Sequence, residues 1–140
     1  MTTPRVMGVL ETAIYVADLE RSQGFYERVL GCVEIMREAG RLHALRIPGD
    51  QVLLIFARGR SVVPTEMPGG RIPAHDGSGQ LHLAFEVAAT EVDAWRRNLQ
   101  ELGVQIESEV ACPRGGHSLY FRDPDNHLVE LVTRDCWGFT

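Results

Sequence analysis

The chain contains an internal repeat, which constrains its fold more than any local pattern does. Residues 10–17 read Leu-Glu-Thr-Ala-Ile-Tyr-Val-Ala, and residues 81–88 read Leu-His-Leu-Ala-Phe-Glu-Val-Ala. The turn at 46–50, Arg-Ile-Pro-Gly-Asp, corresponds in the same way to Arg-Asp-Pro-Asp-Asn at 122–126. We therefore interpret the chain as a duplicated module.

Each copy has the pattern of a strand, a helix and three further strands. Asp18 and Gly31 predict the start and end of the first helix, as Thr90 and Gly103 do for the second. The three strands that follow alternate apolar and polar residues. The sequence thus predicts an α+β fold of two βαβββ modules in a single domain, residues 1–140. The predicted bounds are about 7–60 for module one, 61–79 for a connecting loop, and about 80–135 for module two.

The connecting loop is longer than most loops within a domain and is rich in proline and glycine. Such a segment is either a linker or a lid over a site. It contains His75, which is a candidate lid contact or a solvated loop histidine.

Composition limits the classes of partner. A net charge of −5 without basic clusters disfavours nucleic acid and anionic membranes and leaves a small molecule as the expected partner. No apolar run is long enough for a signal peptide or a membrane span, so we expect a cytoplasmic protein. The cysteines Cys32, Cys112 and Cys136 are odd in number and widely spaced, so we expect buried thiols rather than a disulfide.

Three polar residues interrupt the apolar patterns of the strands. Glu11 and His82 occupy matching positions of the repeat, and Glu130 lies within Leu-Val-Glu-Leu-Val. If the apolar faces cover the helices, all three side chains face one shared concavity, where a divalent cation would neutralise the two carboxylates. Mixed glutamate and histidine ligands suit Mn²⁺, Fe²⁺, Zn²⁺ or Ni²⁺.

Each of these residues also has an explanation without a metal. His82 is then a hydrogen-bonded core histidine, and Glu11 is a charge at a strand end that reaches water. Glu130 would be half of an ion pair with Arg122 or Arg46.

These segments resemble the vicinal oxygen chelate superfamily, which includes glyoxalase I, fosfomycin and bleomycin resistance proteins and type I extradiol dioxygenases. The similarity spans residues 11–31, His-Leu-Ala-Phe at 82–85 and the hairpin at 118–131. It implies an incomplete β-barrel formed by the two modules around one divalent metal ion (Fe, Mn, Zn or Ni), held by Glu11, His82 and Glu130. It also implies a homodimer.

The chain departs from several members of that family. Leu54 stands where glyoxalase I has a fourth ligand, and Glu11 where the dioxygenases and fosfomycin thiol transferases have histidine. Val110 and Phe139 replace the cationic residues of the thiol transferases. These departures disfavour lactoylglutathione lyase and fosfomycin-modifying activities. The bleomycin-binding relatives lack the metal ligands, which disfavours a sequestering function.

Tyr120 precedes Glu130 by the ten residues that separate a dioxygenase tyrosine from its glutamate ligand, although residues 51–60 lack the histidine expected there. We therefore predict a metal-dependent lyase, isomerase or dioxygenase that acts on a small substrate with vicinal oxygens and uses Tyr120 in catalysis. The alternative is a non-catalytic protein that binds or sequesters a small molecule in the same cavity. His127, in the hairpin turn, is expected to be structural. Five residues are candidates for the substrate pocket: Tyr15, Phe56, His75, Glu86 and Trp137.

Overall fold

A computed structural model describes residues 2–140 and divides the chain into two compact units. The first unit ends at Gly77 and the second runs from Ser78 to Thr140. Each contains a strand, a helix and three strands in that order, so the predicted α+β fold with two βαβββ modules is confirmed.

The sheet of the first unit has the strand order β1-β4-β3-β2. Strand β1 runs parallel to β4, and the remaining pairs are antiparallel. The sheet does not close on itself, because β1 and β2 form its two edges. Its elements are β1 (Glu11–Val16), α1 (Leu19–Leu30), β2 (Val33–Glu38), β3 (Leu42–Ile47) and β4 (Gln51–Ala57).

Helix α1 begins and ends where its capping residues predict. The Asp18 carboxylate accepts a hydrogen bond from the Arg21 amide at 3.1 Å, which satisfies one of the free N–H groups of the first turn. Gly31 adopts the left-handed conformation (φ 70°) that closes the helix. Phe25 and Val29 are buried, as the apolar side of the helix requires.

The two faces of the first sheet differ in burial. Ile14 and Val16 share one face with Leu53 and Ile55, and all four are at most 1% exposed. Glu11, Ala13 and Tyr15 point to the opposite, more open face, because successive side chains of a strand alternate.

The segment after β4 is not the unstructured loop that the sequence predicts. It contains a short hairpin of β5 (Thr65–Met67) and β6 (Gly70–Ile72). Such short strands cannot be predicted from the sequence, because three residues between proline and glycine turns are too few to show an alternating pattern. The end of the segment returns to its own beginning, where the His75 amide donates to the Ser61 carbonyl at 2.9 Å.

The second unit repeats this topology with the order β7-β10-β9-β8. Strand β7 is parallel to β10, and β10, β9 and β8 pair antiparallel. Its elements are β7 (His82–Glu86), a 3-10 helix (Ala89–Glu91), α2 (Val92–Glu101), β8 (Ser108–Ala111), β9 (His117–Arg122), β10 (Leu128–Val132) and a final 3-10 helix (Arg134–Trp137).

The predicted cap at Thr90 is wrong. Thr90 lies inside the 3-10 helix that precedes α2. The N-cap residues are Ala88 for the 3-10 helix and Glu91 for α2, and neither side chain makes a capping hydrogen bond. The end of α2 follows the prediction, with Gly103 at φ 73°.

The hairpin turn between β9 and β10 is held by a buried histidine. His127 is fully buried, and its Nδ1 accepts a hydrogen bond from the Leu81 amide at 2.9 Å. Its own amide donates to Asp123 Oδ1 at 2.8 Å. The prediction that His127 is structural is therefore confirmed.

The expectation of three thiols is wrong. Cys112 and Cys136 form a disulfide with their Cα atoms 5.3 Å apart, whereas Cys32 is a buried free thiol. The pair is 24 residues apart in sequence, but His117 lies between the two segments. It pairs with Ala111, next to Cys112, and its carbonyl accepts from the Thr133 amide three residues before Cys136.

Candidate metal centre

His82 and Glu130 meet on adjacent strands of the second unit. In the parallel register of β7 and β10, His82 pairs with Leu128 and Ala84 with Glu130, which places both polar side chains on one face. His82 Nε2 lies 3.2 Å from Glu130 Oε1, and the other ring nitrogen, Nδ1, lies 2.9 Å from the Leu128 carbonyl oxygen. The His82 side chain is half exposed, whereas that of Glu130 is 13% exposed.

The hydrogen bond to Leu128 decides what His82 can bind. A carbonyl oxygen only accepts, so Nδ1 carries the proton. In a neutral imidazole the lone pair of Nε2 then faces a carboxylate oxygen, and two acceptors at this distance repel each other. A positive charge between them, either a second proton or a metal ion, removes the repulsion. The donor set of one imidazole nitrogen and one carboxylate oxygen fits a first-row divalent metal.

Ser118 holds the second oxygen of Glu130. Its Oγ donates to Glu130 Oε2 at 2.6 Å, and Ser118 is 2% exposed. The antiparallel register of β9 and β10 pairs Ser118 with Val132 and Tyr120 with Glu130, so all four share a face. Ser118 is absent from the residues that the sequence singled out. Its spacing of two from Tyr120 in a strand is the signal that identifies it.

Tyr120 lies directly opposite Glu130 and near the His82 ring, with 6.5 Å between ring centroids. Burial raises the pKa of the Tyr120 hydroxyl, and the charge of Glu130 acts in the same direction, while a hydrogen bond with Ser118 opposes them. The hydroxyl therefore stays protonated at neutral pH and can act as a hydrogen-bond donor.

The alternative of an ion pair between Glu130 and arginine does not match the contacts. Arg122 pairs with Glu107 at 3.1 Å, and Arg46 pairs with Asp50 in the first unit. Glu130 instead contacts His82 and Ser118.

Glu11 is the predicted ligand from the first unit. It lies at the start of β1, is exposed, and occupies the position that His82 holds in β7. The counterpart of Glu130 is Leu54, since each pairs with the matching alanine of its repeat. Within the described part of either unit, no three His, Cys, Asp or Glu side chains group closely enough to hold a metal by themselves. The second unit therefore brings two of the three predicted ligands, His82 and Glu130, within 3.2 Å of each other, and Glu11 remains the predicted third.

Three of the predicted pocket residues come together in the first unit. His75 Nδ1 lies 2.8 Å from the Tyr15 hydroxyl, and the His75 ring packs edge-on against Phe56 with centroids 4.5 Å apart. Burial raises the pKa of Tyr15, and the negative charge of Asp76 adds to this effect. The Arg41 guanidinium lies 5.7 Å from the Phe56 ring centroid, within cation–π range. This group of Tyr15, Phe56 and His75 can present aromatic faces and a polar edge to a ligand.

The other two predicted pocket residues lie at the surface of the second unit. Glu86 forms an ion pair with Arg134 at 3.4 Å. Trp137 is 69% exposed, in the final 3-10 helix. That Glu86 and Trp137 line a substrate pocket remains a prediction.

The structure is that of an α+β protein built from two βαβββ units. A histidine and a glutamate lie close together on neighbouring strands of the second unit. The chain belongs to the Glyoxalase/Bleomycin resistance protein/Dioxygenase superfamily, whose family model matches residues 8–131. The resemblance seen in the sequence is therefore confirmed. In the part of the chain that the structure describes, the helices are too short or too polar to cross a membrane.

Individual relatives include antibiotic resistance proteins and a lyase. The chain is 28% identical to the fosfomycin resistance protein FosX of Listeria innocua over 127 residues, 90% of this chain and 89% of that protein. Its structure is similar to that of a lactoylglutathione lyase from Agrobacterium tumefaciens (TM-score 0.88, 31% identity, 97% of this chain and 100% of that one). A variant of FosX from Listeria monocytogenes, crystallised with Mn(II) and 1S,2S-dihydroxypropylphosphonic acid, has a TM-score of 0.64 and 25% identity, covering 91% and 90% of the two chains.

Proposed function

We propose that this protein is a divalent-metal-dependent enzyme that acts on a small substrate with neighbouring oxygens, as a lyase, isomerase or dioxygenase. The observation that carries the proposal is the pair of His82 Nε2 and Glu130 Oε1, which face each other at 3.2 Å with Nδ1 of the histidine already bonded to a carbonyl. A metal-binding histidine usually donates its other ring N–H to a carbonyl, a carboxylate or water, and a metal-binding carboxylate is usually hydrogen-bonded as well. His82 and Glu130 have these partners. The bound metal would supply Lewis-acid stabilisation of the oxyanion or enolate that develops on the substrate.

The surrounding residues have separate roles in this proposal. Ser118 fixes Glu130 by donating to Oε2, which leaves Oε1 directed toward His82. Tyr120, whose raised pKa keeps its hydroxyl protonated, donates a hydrogen bond to the reacting oxygen of the substrate. Tyr120 is therefore the proposed catalytic side chain.

The related proteins support the substrate class but do not single out a substrate. The FosX variant was crystallised with Mn(II) and a dihydroxypropylphosphonic acid, and this acid is a small molecule with neighbouring oxygens. In this chain, Val110 pairs with Ser118 and is 41% exposed, so the edge strand β8 presents an apolar side chain at that position. An apolar side chain at that position favours a substrate that is less anionic than a phosphonate.

Metal analysis tests the proposal directly. The purified protein is expected to bind about one divalent ion per chain, chosen from Fe, Mn, Zn and Ni, and His82→Ala and Glu130→Gln are expected to abolish this binding while circular dichroism stays unchanged. His117→Ala, in β9, and Glu107→Gln, just before β8, are matched controls and should retain the metal. Unchanged metal content in both ligand variants would refute the proposal.

We also propose that Glu11 is the third ligand and that the protein is a cytoplasmic homodimer. Several apolar side chains before β1 are exposed, including Met7 and Val9, which a second chain would cover. Mixing Glu11→Ala and Glu130→Ala chains distinguishes two arrangements. If each site takes ligands from two chains, a mixed dimer regains one intact site and binds metal. If each site lies within one chain, the mixture binds none.

The group of Tyr15, Phe56 and His75 favours a second candidate, a protein that binds or sequesters a small molecule without turnover. Aromatic rings with one polar edge are typical of ligand pockets. A ligand that binds to the metal-loaded protein and is recovered unchanged would support this candidate over the enzyme.

A further inference from the structure

The Cys112–Cys136 disulfide joins the end of β8 to the final 3-10 helix of the second unit. Cys112 directly follows β8, an edge strand, and Cys136 lies in the 3-10 helix after β10. Both cysteines are half-buried, so a small reductant can reach them, whereas Cys32 in the first unit is 3% exposed. A half-buried disulfide at the end of an edge strand is accessible to thiol–disulfide exchange.

The disulfide lies beside the serine that supports Glu130. Ser118 Oγ is 4.0 Å from the sulfur of Cys112 and 4.0 Å from that of Cys136. The same oxygen donates to Glu130 Oε2 at 2.6 Å, and Glu130 Oε1 faces His82. One buried hydroxyl therefore contacts both the sulfur pair and the proposed metal ligand.

We propose that Cys112 and Cys136 form a reversible redox site that sets the metal affinity of His82 and Glu130 through Ser118. The proposal rests on the proposed function, because it assigns metal to these two residues. Its reductant is a dithiol. One thiolate of the dithiol attacks a protein sulfur to form a mixed disulfide, and its second thiolate then displaces that sulfur. Two electrons and two protons pass to the protein, which gains two thiols, while the dithiol becomes a disulfide.

Reduction changes the partners of Ser118. A disulfide has no proton to donate, so beside it the serine hydroxyl directs its own proton to Glu130. The two thiols can both donate and accept, and the tether between β8 and the final 3-10 helix is lost. Ser118 is then no longer packed against two joined sulfurs, so its side chain can rotate away from Glu130, which loses the bond that orients it. Loss of such an outer partner typically weakens metal binding by about 10–100-fold.

Thiol counting tests reversibility without any metal. The native oxidised protein is expected to show no reactive thiol, because Cys32 is buried and burial raises the pKa of its thiol to about 11. Treatment with a dithiol and its removal under argon should expose two thiols, and reoxidation should remove them. A disulfide that resists reduction until the chain unfolds would overturn the proposal.

Titration with Mn(II) then tests the coupling. The reduced wild-type protein is expected to bind Mn(II) about tenfold more weakly than the oxidised protein. Ser118→Ala should bind equally in both states, and Cys32→Ser should keep the wild-type difference. Equal affinities in wild-type protein whose thiol count changes from none to two would overturn the coupling alone. Absence of binding in both states by all four candidate ions, Mn(II), Fe(II), Zn(II) and Ni(II), would overturn the proposed function and the coupling with it.

Discussion

Gly77 lies so close to the ring of Tyr15 that a Cβ atom there would come within 2.3 Å of Tyr15 Cδ2 and 2.5 Å of Cε2. This contact lets the chain return to the sheet just after His75 bonds the Tyr15 hydroxyl. Gly77→Ala is expected to lower the free energy of unfolding by about 1–3 kcal/mol, because the ring must move. Denaturant unfolding measures the effect. Gly69→Ala is the matched control, since its Cβ would meet no described atom within 4 Å. Equal effects of the two substitutions would contradict the packing described.

Gly24 is a glycine that the fold does not require. It lies inside α1, and a Cβ there would have no described neighbour within 4 Å. Gly24→Ala should therefore stabilise the protein by about 0.5–1 kcal/mol through helix propensity. Gly31→Ala should act in the opposite direction, because Gly31 is left-handed at φ 70°. Thermal melts of both variants decide the matter, and a lower melting temperature for Gly24→Ala would show that the site is tighter than described.

Tyr120 makes stability depend on alkaline pH. Burial raises the pKa of its hydroxyl in the folded state, so the folded chain holds this proton to higher pH than the unfolded chain does. The resulting stability is present below the tyrosine pKa of the unfolded chain and is lost as pH rises through the folded value. Tyr120→Phe should flatten the decline in melting temperature above about pH 10. An identical decline in wild type and Tyr120→Phe would argue against the assignment.

Glu109 makes stability depend on acidic pH. The Arg96 guanidinium, hydrogen-bonded to it at 2.7 and 3.1 Å, holds the pKa of this carboxyl below its usual range. Its stabilising effect is present above the pKa of an unfolded glutamate and is lost as pH falls through the folded pKa. Glu109→Gln should lower the melting temperature slightly at neutral pH, and the difference should vanish in acid. Glu101→Gln on α2 serves as the control; a difference that persists at the lowest pH would indicate a packing effect instead.

Some features of the site were accessible from the sequence because they depend on local rules. A period of two places Tyr120 and Ser118 on one face of β9, and it places Glu130 on the opposite face of β10 from Val129 and Leu131. The repeat then relates His82 to Glu11, and Glu130 to Leu54. Thr90 is not a helix cap because residues 89–91 form a 3-10 helix, whose formation depends on several neighbouring residues and not on Thr90 alone.

The sequence by itself determined the duplicated βαβββ pattern, the caps of α1 and the alternation that places Glu130 on the opposite face of β10 from Val129 and Leu131. Only the tertiary structure decided which polar groups touch. The distance from His82 Nε2 to Glu130 Oε1, the bond from Ser118 and the joining of Cys112 to Cys136 depend on strand order and register. Alternation and capping act over a few neighbouring residues, whereas register is set by the packing of whole strands far apart in the chain.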